Sequence, residues 1–132
     1  MKKKPETLPG AELDVMWALW ELGAPSSAAQ IHSVMTKFRP CTKPAVHILA
    51  ERLAAKGFVL VEQVNDPVPY KRITPLVTED EYASSEATGL VEKLFHGSWK
   101  RLVANVTDRE DVTDEDIAEI EQILRGRKGA KK

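Results

Sequence analysis

Between Thr42 and Arg72 the chain gathers the residue types that contact a nucleic acid. Lys43, His47, Ile48 and Arg52 fall at helical spacing on the outward side of one amphipathic segment, and Lys71 and Arg72 follow on a returning extended run. Lysine and arginine neutralise phosphates whatever the sequence, whereas a histidine or an apolar side chain in a groove meets base edges. In this pattern Lys43 and Arg52 are expected on phosphates, with Thr42 as helix cap and further contact. Ala45, His47 and Ile48 are expected at base edges, and Lys71 and Arg72 against the backbone. Arg52 has a rival role as a structural tie between helix and strand. Glu51, on the same side, is repelled by phosphate unless it pairs or faces a cytosine amino group.

Other chemistries find less. His32, His47 and His96 stand 15 and 49 residues apart, and no His/Cys pair has zinc-ligand spacing. Gly97-Ser98-Trp99 lacks the first glycine of a nucleophile elbow, and Ser98 suits a helix cap better. The acidic run from Thr107 to Asp116 misses the ligand spacing and central glycine of a calcium loop. No catalytic residue, metal or cofactor is expected, and the chain reads as a non-enzyme. Cys41 is a candidate redox thiol, because the positive helix end and Lys43 beside it favour the thiolate. Its rival reading is a small buried hydrophobe.

The elements that position these residues are legible from local chemistry. Thr42 caps a helix with Pro44 in its first turn, and Val46, Leu49, Ala50 and Leu53 form the inward stripe. Lys56-Gly57 ends that helix, Phe58 to Val61 makes a strand, and Asn65 to Pro69 turns the chain back into Tyr70 to Ile73. Two helices precede this unit. One has Leu13, Met16, Trp17 and Trp20 inward, and the other has Ile31, Val34, Met35 and Phe38 inward behind a Ser27 cap. The order is that of a winged helix-turn-helix.

Three more helices follow. Thr78 with Glu81, and Thr113 with Asp116, make capping boxes. None of these helices carries enough apolar surface for a core of its own. A homodimer that buries Leu90, Leu94, Trp99, Leu102, Val103, Val106, Ile117, Ile120 and Leu124 resolves this, with twofold symmetry. The expected fold is mainly α with a small β-wing. A winged-helix DNA-binding domain spans 1–76, with a flexible basic arm over 1–7. A helical dimerisation domain spans 77–125, and a basic disordered tail 126–132.

Composition fits this division. The 132 residues carry a net charge of −1, with 42% hydrophobic and 6% aromatic residues. The average conceals a net of +3 over 1–75, −9 over 76–124 and +5 over 125–132. A basic front and acidic rear orient a protein on a polyanion. No membrane span or signal-peptide stretch is expected, and a single cysteine makes a reducing cytoplasm the default.

With these pieces in place, the chain resembles the penicillinase-repressor family, which includes the methicillin-resistance and copper-transport repressors. The matching residues are Leu8-Pro9, the run Glu12 to Trp20, Ile31, Leu49, Arg52-Leu53 and Lys56-Gly57. Further on come Tyr70, Pro75-Leu76-Val77, Glu81-Tyr82, Leu94 to Ser98 and Leu102 to Asn105, collinear over roughly 8–125. The resemblance implies a dimeric transcriptional repressor on a palindromic operator, with winged helices on two half-sites. It also implies inactivation by a sensor-linked protease in the dimerisation region, after an Asn that precedes an apolar residue; Asn105-Val106 is the matching bond. The chain departs from the copper-responsive branch, since it lacks the C-terminal cysteine cluster. Its recognition helix is also less polar than in the β-lactam-responsive branch, with Ala45, Ile48 and Glu51. The alternatives left open are a ligand- or thiol-responsive winged-helix regulator released without proteolysis, and a winged-helix module that binds protein.

Overall fold

The computed structural model describes residues 6–130, so Lys2 to Lys4 of the expected basic arm and the final two lysines lie outside the described residues. The chain divides into two compact units between Glu86 and Ala87. The first contains α1 (Gly10–Leu22), β1 (Ser26–Ser27), α2 (Ala28–Met35), α3 (Lys43–Ala55), β2 (Val59–Val64) and β3 (Tyr70–Pro75). It closes with the first turns of α4 (Glu79–Phe95). The strands form an antiparallel sheet of order β1-β3-β2, in which β3 pairs on both edges. Three helices and this sheet make a winged helix-turn-helix, mainly α with a small β-wing.

The core gathers Val15, Met16 and Leu19 from α1, Ile31 and Met35 from α2, and Val46 and Leu53 from α3, with Phe58 and Ile73 from the wing. Burying each large apolar side chain stabilises the fold by roughly 1.5–3 kcal/mol. Helix α3 ends as its sequence dictates. Gly57 takes φ 83°, the Phe58 N–H reaches the Leu53 carbonyl at 2.9 Å, and the Gly57 N–H reaches Ala54 at 3.1 Å. That is a left-handed Schellman turn, and it throws the chain directly into β2. Lys56 at this end pairs with the buried Glu12 of α1, and Arg39 pairs with Asp14.

Two aromatic expectations are corrected. Trp17 is 51% exposed and Phe38 47%, their rings meeting edge to face at 6.5 Å on the surface. The inward stripe of α1 is Val15, Met16, Ala18 and Leu19, which turns Trp17 outward, and α2 stops at Met35, three residues before Phe38. Trp20 is half-buried and donates its indole N–H to the Val77 carbonyl at 2.9 Å.

The boundary between units falls ten residues beyond the one expected at 76, because Tyr82 belongs to the first core. Its hydroxyl accepts the Leu8 N–H at 3.0 Å, and its ring lies 6.0 Å from both Trp20 and Phe58. The second unit holds the remainder of α4, α5 (Trp99–Thr107) and α6 (Asp114–Ala130). The capping boxes at Thr78/Glu81 and Thr113/Asp116 both form, and Ser98 caps α5. Helix α6 runs on through Ala130, over most of the stretch expected as a disordered tail. Among the described residues no helix is long and apolar enough to cross a membrane.

Candidate nucleic-acid interface

Helix α3 begins where its cap dictates. Thr42 is extended, its hydroxyl accepts the Ala45 N–H at 3.2 Å, and Pro44 occupies the first turn. With Val46, Leu49, Ala50 and Leu53 buried, the opposite side presents Lys43, His47, Ile48, Glu51 and Arg52 to solvent. Ile48 is 55% exposed, an apolar side chain placed where water gains nothing from it. Ala45, expected beside it at base edges, is half-buried.

Lys43 and His47 form one wall of an open cleft of about 490 Å³. Its other walls are Ser27 to Gln30 at the start of α2, and Val68 to Lys71 where the wing returns. The start of α2 is closed by a reciprocal capping box. The Ser27 hydroxyl accepts the Gln30 N–H at 3.2 Å, and the Gln30 side chain accepts the Ser27 N–H at 2.8 Å. The cleft thus combines two lysines with the positive ends of two helices, the electrostatics that a phosphate meets favourably.

The wing cations part company. Successive strand residues point to opposite faces, so Lys71 shares the helix-side face of β3 with buried Ile73, while Arg72 turns the other way. Arg72 lies opposite Glu62 in the register and donates to its carboxylate at 3.1 Å. Lys71 reaches Glu51 of α3 at 3.8 Å. The tie from recognition helix to wing, for which Arg52 was one candidate, is therefore made by Glu51. Arg52 and Lys43 are exposed and carry no ion pair among the described residues.

Cys41 is half-buried just ahead of α3, and its carbonyl meets the His32 ring at 2.9 Å. In the second unit, Leu90, Leu94, Trp99, Val103, Val106 and Leu124 are exposed, and Leu102, Ile117 and Ile120 are half-buried. Trp99 at 52% and Leu94 at 58% leave large apolar surface in water. Asn105 and Val106 are both exposed, near the end of α5. Arg109 donates to Asp111 at 3.0 Å, and this hydrogen bond, with one from the backbone, holds the Asp111 carboxyl below its usual range. Among the described residues, no group of three or more His, Cys, Asp or Glu is placed to hold a metal ion.

Sequence reasoning missed three parts of this face: strand β1, the Gln30 half of the α2 cap, and the cleft wall from Val68 to Tyr70. Only Gln30 left a signal, as the last residue of a Ser-x-x-Gln capping box.

Comparison with known proteins gives a consistent picture. A family model described as penicillinase repressor matches residues 8–126. The methicillin resistance regulatory protein MecI of Mammaliicoccus sciuri is 27% identical over 124 residues, covering 94% of this chain and 98% of that one. The penicillinase repressor of Bacillus licheniformis is 25% identical over 132 residues, covering 100% of this chain and 99% of its own. Among solved structures, a MarR family protein from Bacillus stearothermophilus aligns at 21% identity with a TM-score of 0.49, over 95% of this chain and 76% of that one.

Proposed function

The chain belongs to the penicillinase repressor family, and from that premise we propose that it is a sequence-specific repressor that binds a palindromic operator as a homodimer. The observation that carries this reading is the face around the cleft, where exposed Lys43, His47 and Ile48 of α3 adjoin Lys71 of the wing. Lys43, Lys71 and Arg52 hold phosphates, while His47 and Ile48 meet bases and Thr42 fixes the start of the helix. Ala45, half-buried, supports them from the side, and Arg72 contributes less because Glu62 already neutralises it. Ile48 fits the methyl group of a thymine in the major groove.

The exposed apolar side chains of the second unit support a second copy as partner. Burying Leu94, Trp99 and Leu124 between twofold-related helices removes from water what one chain leaves there. Two tethered half-site contacts bind far more tightly than either alone. A cut at Asn105-Val106 by a sensor-linked protease would detach α6 from the rest of the second unit, weaken the dimer and release the operator. Asn105→Asp tests that step. Loss of induction with intact repression supports the bond, and unchanged induction refutes it.

The reading as a whole is tested by anisotropy titration on duplexes tiling the upstream region, at several salt concentrations. One duplex should bind at least about a thousandfold more tightly than random DNA, with two chains per site. Equal weak binding to every duplex counts against it. A second reading, release by a small ligand, is favoured by an open cavity of about 470 Å³ lined by Trp20, Pro25, Val77 and Glu79. Quenching of tryptophan fluorescence by an inducer, without cleavage, would select it.

A further inference from the structure

Glu51 shares its stripe of α3 with Lys43 and His47, at successive steps of four residues, yet it is an acid on a surface built for a polyanion. It is not there to stabilise the helix core, which is completed by Val46, Leu49, Ala50 and Leu53. Its carboxylate lies 3.8 Å from the Lys71 ammonium, with the two side chains 60% and 47% exposed. A pair so long and so exposed is weak and readily exchanged. The other wing pair differs: Arg72 and Glu62 are cross-strand neighbours in good hydrogen-bonding geometry, and both belong to the sheet. Among the described residues, only the Glu51–Lys71 ion pair spans from the recognition helix to the wing.

We infer that Glu51 is a specificity-determining residue that acts against mismatched DNA. The inference rests on the reading of this face as a DNA surface. When a duplex enters, Lys71 exchanges Glu51 for a phosphate, and the carboxylate loses its partner. In the major groove one base-edge group suits it, the amino group of cytosine, which donates a hydrogen bond to an acid. On a site with cytosine at that position both charges stay satisfied. On any other site Glu51 faces the polyanion unpaired, and a buried or half-buried charge without a partner weakens the complex. Glu51 therefore lowers affinity for non-cognate DNA more than for the operator.

The test uses the full chain and its Glu51→Gln variant, titrated against random duplex and against operator duplexes substituted one base pair at a time. The variant should bind random DNA about tenfold more tightly, with a salt slope steeper by roughly one unit per subunit, because no carboxylate then offsets the Lys71 charge at the phosphates. Preference for cytosine at one position in each half-site should fall by about the same factor. Unchanged affinity for random DNA, with every base preference intact, overturns the inference. So does uniform weakening on all duplexes, which would mark Glu51 as a positioning residue for the wing. Glu51→Gln combined with Lys71→Ala provides a control: the added salt dependence should vanish in the double variant. If the unaltered protein selects no sequence at all, the repressor reading fails and the inference with it. If it selects normally and only the Glu51 effects are missing, the inference fails alone.

Discussion

Lys43→Ala separates phosphate binding from base reading at the recognition helix. The side chain is exposed at the first turn of α3, has no ion pair among the described residues and borders the cleft at the start of α2. Its whole charge is therefore available to displace a counterion. Each phosphate neutralised contributes about −0.9 to the slope of log affinity against log salt, so losing one lysine from each of two subunits flattens the slope by about 1.8. Between about 50 and about 200 mM salt, the variant should then lose roughly twelvefold less affinity than the unaltered protein. Arg72→Ala makes the contrast. Glu62 already neutralises Arg72 at 3.1 Å, and its slope change should be less than half as large. The assay is fluorescence anisotropy on the operator and on random duplex at four or more salt concentrations. A Lys43→Ala defect confined to one base position refutes the phosphate role. A flattening by Arg72→Ala that matches Lys43→Ala refutes the idea that the wing pair is silent.

Three further expectations follow from single contacts. Thr42→Ala removes the hydroxyl that accepts the Ala45 N–H and should lower stability by about 1 kcal/mol in urea unfolding, with weaker DNA binding as the helix start frays. Tyr82→Phe leaves the buried Leu8 N–H without its acceptor and should cost about 1–3 kcal/mol, although the ring stays in place between Trp20 and Phe58. Arg109→Ala should return the Asp111 carboxyl upward toward its ordinary range in an NMR titration. Because Asp111 is lowered in the fold, the stability it contributes is present above the unfolded carboxyl value and disappears as pH falls through the folded one.

Much of this fold could be read from local chemistry. The Thr42 cap, Pro44 and Gly57 fixed α3 to within a residue, and both predicted capping boxes formed, because caps and left-handed glycines act over three or four residues. What escaped depended on distant partners. Ser26-Ser27 has no strand pattern and becomes β1 only because β3 offers it an edge. Trp17 and Val15 are both apolar and near the helix centre, and only packing against α2 and α3 decides which is buried. At the site, the cationic residues were legible but their pairing was not. Glu51 finding Lys71, and Arg72 finding Glu62, follow from strand register and pleat, which the sequence states only through the turn at Asn65 to Pro69.

Ser27 has three structural roles: it ends β1, stands opposite Arg72 in the sheet register, and caps α2. One residue thereby joins the wing to the first helix of the helix-turn-helix, and the cleft between them has its width set when the chain folds. Little ordering is left to do when DNA arrives, so the loss of freedom on binding is small and each head docks as a rigid body. In the dimer proposed above, operator occupancy then depends on how many chains are paired as well as on how firmly each one holds.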